Sequence, residues 1–267
     1  MTTPIALTIA GSDSGGGAGI QADLKAMSAL GVYGASVITA VTAQNTRAVT
    51  AVEGISLPVI TAQIAAVLSD LDVAAIKIGM LATPEIIETV AEALAGYAGP
   101  IVLDPVMVAK SGDALLQDDA VQTLRTVLLP RATILTPNLP EAARLLGREP
   151  AESRDAMVAQ GQALAAMGPD AVLMKGGHGA GDICTDLLVK ADSVLAELTA
   201  PRLETRNTHG TGCTLSSSIA AGLAKGMRPV DAVTAAHGYL QGAIRAADTL
   251  TIGSGHGPVH HFYELWA

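Results

Sequence analysis

The chain alternates between two hydrophobic patterns. Short, nearly continuous apolar runs are separated by longer stretches in which apolar residues recur at helical spacing. The runs predict strands at 5–10, 35–42, 74–78, 101–104, 133–136 and 171–175. The intervening stretches predict helices at 18–30, 58–71, 84–94, 118–128, from about 138, and at 153–167. This alternation indicates an α/β fold whose parallel sheet is covered by helices on both faces.

The pattern changes after residue 175. Two strand-like runs, 182–190 and 194–203, are separated only by Ala191, Asp192 and Ser193. They predict an antiparallel hairpin at one edge of the sheet. A glycine-rich segment with its own helix follows, then a helix at 229–247 and a tail at 256–267 that we expect to pack on a domain or subunit surface. We find no linker, so we predict a single domain over residues 1–267.

Composition narrows the class of protein. The net charge is -9 and the few Lys and Arg residues are scattered, which argues against a nucleic-acid partner. The chain shows neither a secretory signal nor an apolar stretch of membrane length, so we expect a cytoplasmic protein without membrane contact. Its two cysteines, Cys184 and Cys213, are then expected to be reduced thiols, with Cys184 structural.

The segment 206–222, RNTHGTGCTLSSSIAAG, is the strongest candidate for chemistry. Gly210, Thr211 and Gly212 allow a tight turn that presents consecutive N–H groups, and the following helix adds the positive end of its dipole. This arrangement predicts an anion site, most plausibly for phosphate. Cys213 lies on the first turn of that helix, where we expect a lowered thiol pKa. The alternative is that the glycines only shape a helix entrance and Cys213 is a small buried hydrophobe.

Polar residues follow most of the predicted strands. Ligands of an open parallel sheet bind at the carboxyl ends of its strands, so we expect these residues to form one rim with residues 210–213. Taken singly, each is weak evidence, because Asp and Asn after a strand often cap the next helix. The residues are Gly11, Ser12, Asp13 and Asp23, then Gln44 and Asn45, Gly79 and Met80, Asp104 and Met107, Asn138 and Glu141, and Lys175, Gly176 and Gly177.

Other ligand sites are less well supported. Gly17, Gly19 and Ala22 match a dinucleotide fingerprint, but no acidic residue lies between Asp23 and Glu53 to bind the ribose, which leaves NADP as a weak alternative. There is no P-loop motif, so a phosphoryl-transfer enzyme of this sequence uses another phosphate site. The histidines at 256, 260 and 261 lack a Cys or carboxylate at matching spacing and are weak metal candidates.

Eight segments along the chain carry a family resemblance. In order and without large gaps, they resemble the hydroxymethylpyrimidine/phosphomethylpyrimidine kinases of thiamine biosynthesis, which belong to the ribokinase superfamily. The segments are AGSDSGGGAGIQADLK (10–25), TAQNT (42–46), KIGM (77–80), LDPVMVAKSGD (103–113), TPNLPEA (136–142), MKGGH (174–178), NTHGTGCTLSS (207–217) and GHGPVHHF (255–262).

The resemblance implies a fold and a reaction. The fold is the ribokinase-like three-layer α/β fold, with a mostly parallel central sheet, helices on both faces and an antiparallel edge, usually assembled as a homodimer. The reaction uses ATP and Mg²⁺ to phosphorylate 4-amino-5-hydroxymethyl-2-methylpyrimidine on its alcohol, and then to convert the monophosphate into the diphosphate.

The resemblance also implies a role for individual residues. In the catalytic loop, Gly210, Thr211, Gly212 and Cys213 form an anion hole, with Cys213 where most members of the superfamily carry an aspartate base. The implied substrate-binding residues are Asp23 and Gln44, which read the amino group and ring nitrogens, and Gly11, Met80, Met107 and Val108, which wall the ring. The implied ATP-binding residues are Lys175, Thr208 and His209, and those that organise Mg²⁺ and phosphates are Asp104, Asn138 and Glu141.

Two other functions stay open at this point. Pyridoxal kinases of the same branch share the GTGC segment, although Gln44 and Met80 match the pyrimidine kinases better. The chain could instead be a non-catalytic nucleotide-binding relative. Against that alternative stands the presence of Asp104, Asn138, Glu141, Lys175 and Cys213.

Overall fold

The structure is a computed structural model that describes residues 2–108, 115–178 and 181–266. The nine strands found in these ranges belong to one sheet. They are β1 (Ile5–Asp13), β2 (Tyr33–Gln44), β3 (Val49–Gly54), β4 (Ala75–Ile78), β5 (Ile101–Leu103), β6 (Ile134–Leu135), β7 (Ala171–Met174), β8 (Ile183–Val189) and β9 (Val194–Pro201).

Eight α-helices accompany the strands in the described ranges, close to the predicted positions. They are α1 (Gly19–Ala29), α2 (Leu57–Asp70), α3 (Pro84–Ala93), α4 (Asp118–Thr123), α5 (Leu139–Leu146), α6 (Arg154–Ala165), α7 (Thr211–Ala224) and α8 (Pro229–Arg245). The last part of the helix predicted at 118–128 is wound as a π-helix, Leu124–Leu128.

The strand order is β3-β2-β1-β4-β5-β6-β7-β8-β9, with β1 paired in parallel to both β2 and β4. The chain therefore leaves β1 in one direction and returns to its other side, so the order reverses between β1 and β4. Ligands of open α/β sheets bind outside the carboxyl ends of the strands at such a point. The site is therefore expected where Gly11 lies near the end of β1 and Met80 follows β4.

Side chains alternate between the two faces of the sheet and fill two cores. Leu7 and Ile9 of β1 belong to the larger core, which includes residues of α2 to α6, whereas Ala6 belongs to a second core with Ile219 of α7 and Val233 of α8. Successive strand residues point to opposite faces, which accounts for this division. Both faces are covered by helices, and the predicted three-layer α/β architecture is confirmed.

The two edges of the sheet compare differently with the prediction. The hairpin of β8 and β9 is antiparallel, as predicted, and pairs through β8 with β7. At the other edge, β3 pairs antiparallel with β2 and was not predicted. Most of β3 is exposed, so it has no buried apolar face to mark it in the sequence.

The tail packs on this chain through its buried residues. Val259, His260 and His261 are buried, and a side chain at Gly242 of α8 would collide with the ring of Tyr263. The tail also reaches the loop after β2, since the N–H of Gly255 donates to Thr46 Oγ1 at 3.1 Å. No helix within the described ranges combines the length and apolarity needed to cross a membrane.

Candidate active site

The GTGC loop, residues 210–213, lies against the first glycine-rich loop, residues 14–18 between β1 and α1. Gly210 has φ +81° and precedes α7, and a side chain there would collide with the carbonyl oxygen of Gly17. A left-handed conformation and a backbone-to-backbone approach both require glycine. Loops that are distant in sequence are thus joined, and the start of α7 faces the reversal point of the sheet.

Cys213 lies on the first turn of α7 and is partly buried. Removal of water by the surrounding protein raises the pKa of its thiol to about 11, although the Lys77 ammonium and the N–H of Gly19 act in the opposite direction. The nearby carboxylates of Asp23 and Asp104 add to the increase. The prediction of a lowered pKa is therefore wrong, because desolvation and two negative charges outweigh the stabilisation of a thiolate.

A buried ion pair lies beneath this loop. Lys77 Nζ is 2.8 Å from Asp23 Oδ2, with both side chains 0% exposed, and Thr8 Oγ1 donates to the same oxygen at 2.6 Å. Burial alone would lower the pKa of Lys77, but attraction to Asp23 raises it and keeps the ammonium charged. Asp23 was expected at the pyrimidine ring. In this structure its carboxylate is instead the fully buried partner of Lys77.

A second cluster follows β5, β6 and β7. Lys175 Nζ lies 3.1 Å from Asp104 Oδ1 and 4.0 Å from Glu141 Oε2, and Ser216 Oγ of α7 donates to Asp104 Oδ2 at 3.1 Å. A side chain at Gly212 would stand 3.4 Å from Lys175 Nζ and 3.6 Å from Asp104 Oδ2. The GTGC loop therefore lies directly against the Lys175–Asp104 pair, as expected for residues that follow the carboxyl ends of parallel strands.

Asn138 and Glu141 cap α5. The N–H of Glu141 donates to Asn138 Oδ1 and the N–H of Asn138 donates to Glu141 Oε2, both at 2.8 Å. This reciprocal pair is a capping box. Asn138 was expected to organise Mg²⁺ and phosphates, but its side-chain oxygen is engaged by the helix. The structure thus shows the capping role typical of Asn after a strand, and a role of Asn138 at Mg²⁺ and phosphates stays a prediction.

The remaining carboxylates suit a Mg²⁺ that keeps part of its water shell. Within the described residues, no three His, Cys, Asp or Glu side chains gather into a metal site. Burial, with the Asp104 carboxylate added, raises the pKa of Glu141 to about 7 despite the nearby Lys175. Mg²⁺ is commonly bound through one or two carboxylates together with substrate phosphates. Asp104 and Glu141 would hold such an ion, which would supply charge neutralisation at the phosphates.

The residues predicted to line the pyrimidine pocket differ in how far they are buried. A side chain at Gly11 would lie 3.0 Å from Met80 Sδ, so these two residues are in contact at the reversal point. Gln44 is partly buried at the end of β2, and its N–H donates to Ser14 Oγ at 2.9 Å. Met107 is 2% exposed and joins the core, whereas Val108 is 51% exposed.

His209 faces the first glycine-rich loop, although it was expected at the ATP phosphates. Its Nε2 lies 2.8 Å from Asp13 Oδ2 and 3.3 Å from Gln44 Nε2. The ring thus borders the predicted pyrimidine pocket and is 7% exposed. Thr208 is partly buried just before the GTGC loop, and its contact with a nucleotide stays a prediction.

Sequence reasoning missed the partners that hold these groups. Lys77 lies within a quoted motif, but its alternating position in a short strand gives no sign of a buried ion pair.

The three histidines of the tail each have a different partner, so they do not gather around one point. His261 Nε2 lies 2.9 Å from Thr214 Oγ1, the His260 ring lies 5.3 Å from that of Trp266, and His256 Nδ1 lies 3.2 Å from the carbonyl oxygen of Arg206.

Solved structures of vitamin kinases have the same fold. The ADP complex of Bacillus subtilis pyridoxal kinase matches with a TM-score of 0.90 and 36% identity, covering 99% of this chain and 100% of that one. The phosphomethylpyrimidine kinase of Clostridium difficile 630 matches with a TM-score of 0.79 and 45% identity, covering 90% of this chain and 99% of that one.

Whole-length relatives and a family profile agree with the site. The hydroxymethylpyrimidine/phosphomethylpyrimidine kinase of Rhizobium meliloti is 60% identical, covering 99% of both chains, and that of Escherichia coli K12 is 52% identical, covering 98% of both. The profile described as phosphomethylpyrimidine kinase matches residues 13–260. The fold, the GTGC loop and this match together show that the chain belongs to the phosphomethylpyrimidine kinase family.

Proposed function

We propose that this protein transfers phosphoryl groups from ATP to hydroxymethylpyrimidine and then to its monophosphate, in thiamine biosynthesis. One observation carries the proposal: the GTGC loop contacts the first glycine-rich loop at Gly17 on one side and the Lys175–Asp104 pair on the other. An acceptor bound at Gly11 and Met80 would then present its alcohol beside the anion loop. Lys175 would lie on the side of the ATP phosphates.

The chemistry of phosphoryl transfer fits these residues. Such enzymes mainly position the reactants and neutralise charge on the transferred group. The N–H groups at 210–213 would stabilise the transferred phosphoryl group, and Lys175 would attract the phosphates of ATP. The pyridoxal kinase of Staphylococcus aureus, a protein of the same fold, has been solved in complex with ADP and with AMP-PCP and pyridoxal, which supports ATP as the donor. We place the reaction in the cytoplasm, where the two free cysteines would stay reduced.

Pyridoxal phosphorylation is the second candidate, and backbone similarity favours it. The TM-score is 0.90 for the B. subtilis pyridoxal kinase against 0.79 for the C. difficile pyrimidine kinase. Sequence identity has the opposite order, 36% against 45%. We give identity more weight, because side chains at the pocket select the acceptor and backbone similarity reports the scaffold.

An acceptor panel tests the proposal. ATP consumption is measured with hydroxymethylpyrimidine, with pyridoxal and with no acceptor. We expect the highest kcat/KM for hydroxymethylpyrimidine and almost no turnover without an acceptor. A higher kcat/KM for pyridoxal would reverse the order of the two candidates, and turnover independent of any acceptor would remove both.

Replacing Gln44 by leucine should weaken use of the pyrimidine. An unpaired buried donor or acceptor costs about 1–3 kcal/mol, so kcat/KM should fall roughly ten- to a hundredfold. Gln63 provides a matched control, because its carboxamide bonds only the backbone of Ile38. If Gln44→Leu and Gln63→Leu both retain wild-type kcat/KM for the pyrimidine, the assigned pocket is wrong.

Replacing the clustered carboxylates should change the magnesium dependence. In Asp104→Asn and Glu141→Gln, we expect the Mg²⁺ concentration for half-maximal rate to rise about tenfold or more, with an unchanged KM for the pyrimidine. The exposed Glu92 of α3 supplies the control variant Glu92→Gln. Lost pyrimidine affinity with normal magnesium dependence would move both carboxylates out of the metal site.

We include a homodimer in the proposal, formed through α2 and β3. Val52 and Val59 are 45% and 49% exposed there, and Asp70 is the only charged residue of α2.

Replacing Val59 by lysine should raise the dissociation constant of the dimer about tenfold or more, because a lysine buried without a partner is costly. Sedimentation velocity measures this, with Ile183→Lys on β8, the strand next to the opposite edge, as the control. A wild-type monomer, or a dimer unaffected by Val59→Lys, contradicts the interface.

A further inference from the structure

The carboxamide of Gln44 has a neighbour on each side. Its Nε2 atom lies 3.3 Å from Nε2 of His209. Its Oε1 atom lies 3.2 Å from Oγ1 of Thr42. A carboxamide offers N–H donors at one end and lone pairs at the other, so the hydrogens of the two neighbours decide which way it must face.

The proton on His209 Nε2 is assigned by Asp13. The 2.8 Å contact between His209 Nε2 and Asp13 Oδ2 requires an N–H on that nitrogen, because a lone pair there would face a carboxylate oxygen. Asp13 also accepts the N–H groups of Gly15, Gly17 and Ala18 at 2.8–3.0 Å, which are contacts made by an ionised carboxylate. Burial alone raises the pKa of Asp13, but the bonds from His209 and the backbone lower it below its ordinary value.

Thr42 constrains the other end of the carboxamide. Its single hydroxyl hydrogen has two oxygens within reach, the carbonyl of Ser12 at 2.9 Å and Gln44 Oε1 at 3.2 Å, and we assign it to the shorter contact with Ser12. The oxygen of Thr42 then has lone pairs left, and towards Gln44 it acts as an acceptor. An N–H of Gln44 belongs on this side, just as an oxygen of Gln44 belongs beside the N–H of His209.

Both constraints are met by one orientation of the head group. We propose that His209, held by Asp13, is a positioning residue that turns the Gln44 oxygen towards itself and the Gln44 nitrogen towards Thr42. A half-turn about the last side-chain bond exchanges the two atoms without moving any neighbour. It gives Thr42 Oγ1 an N–H donor, and it places the Gln44 oxygen, in place of an N–H group, beside the His209 N–H that Asp13 already accepts.

This orientation predicts what the pocket selects, and that step rests on the proposed function. The outward edge of Gln44 then presents an acceptor on the His209 side and a donor on the Thr42 side. A ring with an amino group beside an unprotonated ring nitrogen is complementary to that edge. The 4-oxo analogue has the reverse pattern, a carbonyl beside a ring N–H, and could be bound only if Gln44 turned over. His209 would prevent this and so help to reject the oxo ring.

The test compares the 4-amino substrate with its 4-oxo analogue in the same enzyme preparations. The measured quantity is the ratio of their kcat/KM values, in which any unfolded fraction cancels. His209→Leu removes the N–H. His209→Gln keeps an N–H donor near the position of the ring nitrogen. His256→Leu changes an exposed histidine and serves as the control.

We expect wild type and His256→Leu to prefer the amino substrate about a hundredfold or more. His209→Leu should reduce that preference at least tenfold, mainly through the KM values, and His209→Gln should restore most of it. An unchanged ratio in His209→Leu, or a reduced ratio that His209→Gln does not restore, overturns the role of His209. A wild type that does not phosphorylate the amino substrate fails separately, because it overturns the proposed function whatever the variants do.

Discussion

Replacing Cys213 by alanine is expected to slow phosphorylation of the alcohol by about 10²- to 10⁴-fold, the usual contribution of a positioned base. The alcohol must lose a proton as its oxygen attacks, and Cys213 is the candidate acceptor for that proton. The monophosphate has a second pKa of about 6 and is largely dianionic at neutral pH, so it needs no base. Its phosphorylation should therefore lose far less. Cys184→Ala is the control and should affect neither reaction.

The raised pKa of the Cys213 thiol adds an expected pH dependence to this prediction. A thiol with a pKa of about 11 is protonated at neutral pH, and its basic form increases about tenfold per pH unit below that value. Between pH 8 and 10, above the pKa of about 7 of Glu141, wild-type kcat/KM for the alcohol should rise with this slope, whereas Cys213→Ala should give a flat profile. A flat wild-type profile, or equal losses for the two acceptors, would assign Cys213 to packing or to shaping the anion loop.

Replacing Lys77 by methionine is expected to lower the free energy of unfolding by about 3–5 kcal/mol, because it leaves the carboxylate of Asp23 buried without its partner. In a chain of this size such a loss lowers the Tm by roughly 5–10 °C. Lys190→Met, at an exposed lysine, should change stability by no more than about 0.5 kcal/mol. Thermal and urea unfolding measure both variants.

The double variant Lys77→Met with Asp23→Leu separates the charge from the space that it fills. A buried ion pair replaced by apolar residues of similar volume is often close to neutral in stability. We therefore expect the double variant to regain most of the loss. A double variant as unstable as Lys77→Met alone would mean that packing of the lysine stem, and not the unpaired carboxylate, sets the stability.

The location of the site was predictable because parallel strands end at a common edge. That argument brings together Gly11 and Met80 at the reversal point, and Asp104 with Lys175 farther along the sheet. The GTGC loop could be identified as a candidate anion site because a glycine turn at a helix start leaves the first N–H groups of the helix available. Neither step requires knowledge of side-chain partners.

The side-chain partners were not predictable from local pattern. Asp23 looked available to a ligand, but its place on α1 directs it towards Lys77 of β4, 54 residues away. The pKa of Cys213 depends on how far the folded chain excludes water, which a helix-start rule ignores. Asn138 could cap or coordinate; the observed bond from the N–H of Glu141 shows the cap, and a role at Mg²⁺ stays a prediction.

Two contacts between residues far apart in the sequence determine when the site can form during protein synthesis. Asp13 meets His209 across 196 residues, and Thr46 meets Gly255 across 209. At translation rates of 5–20 residues per second, β1 waits roughly 10 to 40 s for its partners to be made. A growing chain can therefore form much of its sheet while unable to bind the acceptor. Any protection by a bound ligand would begin only after residues 209 and 255 have left the ribosome.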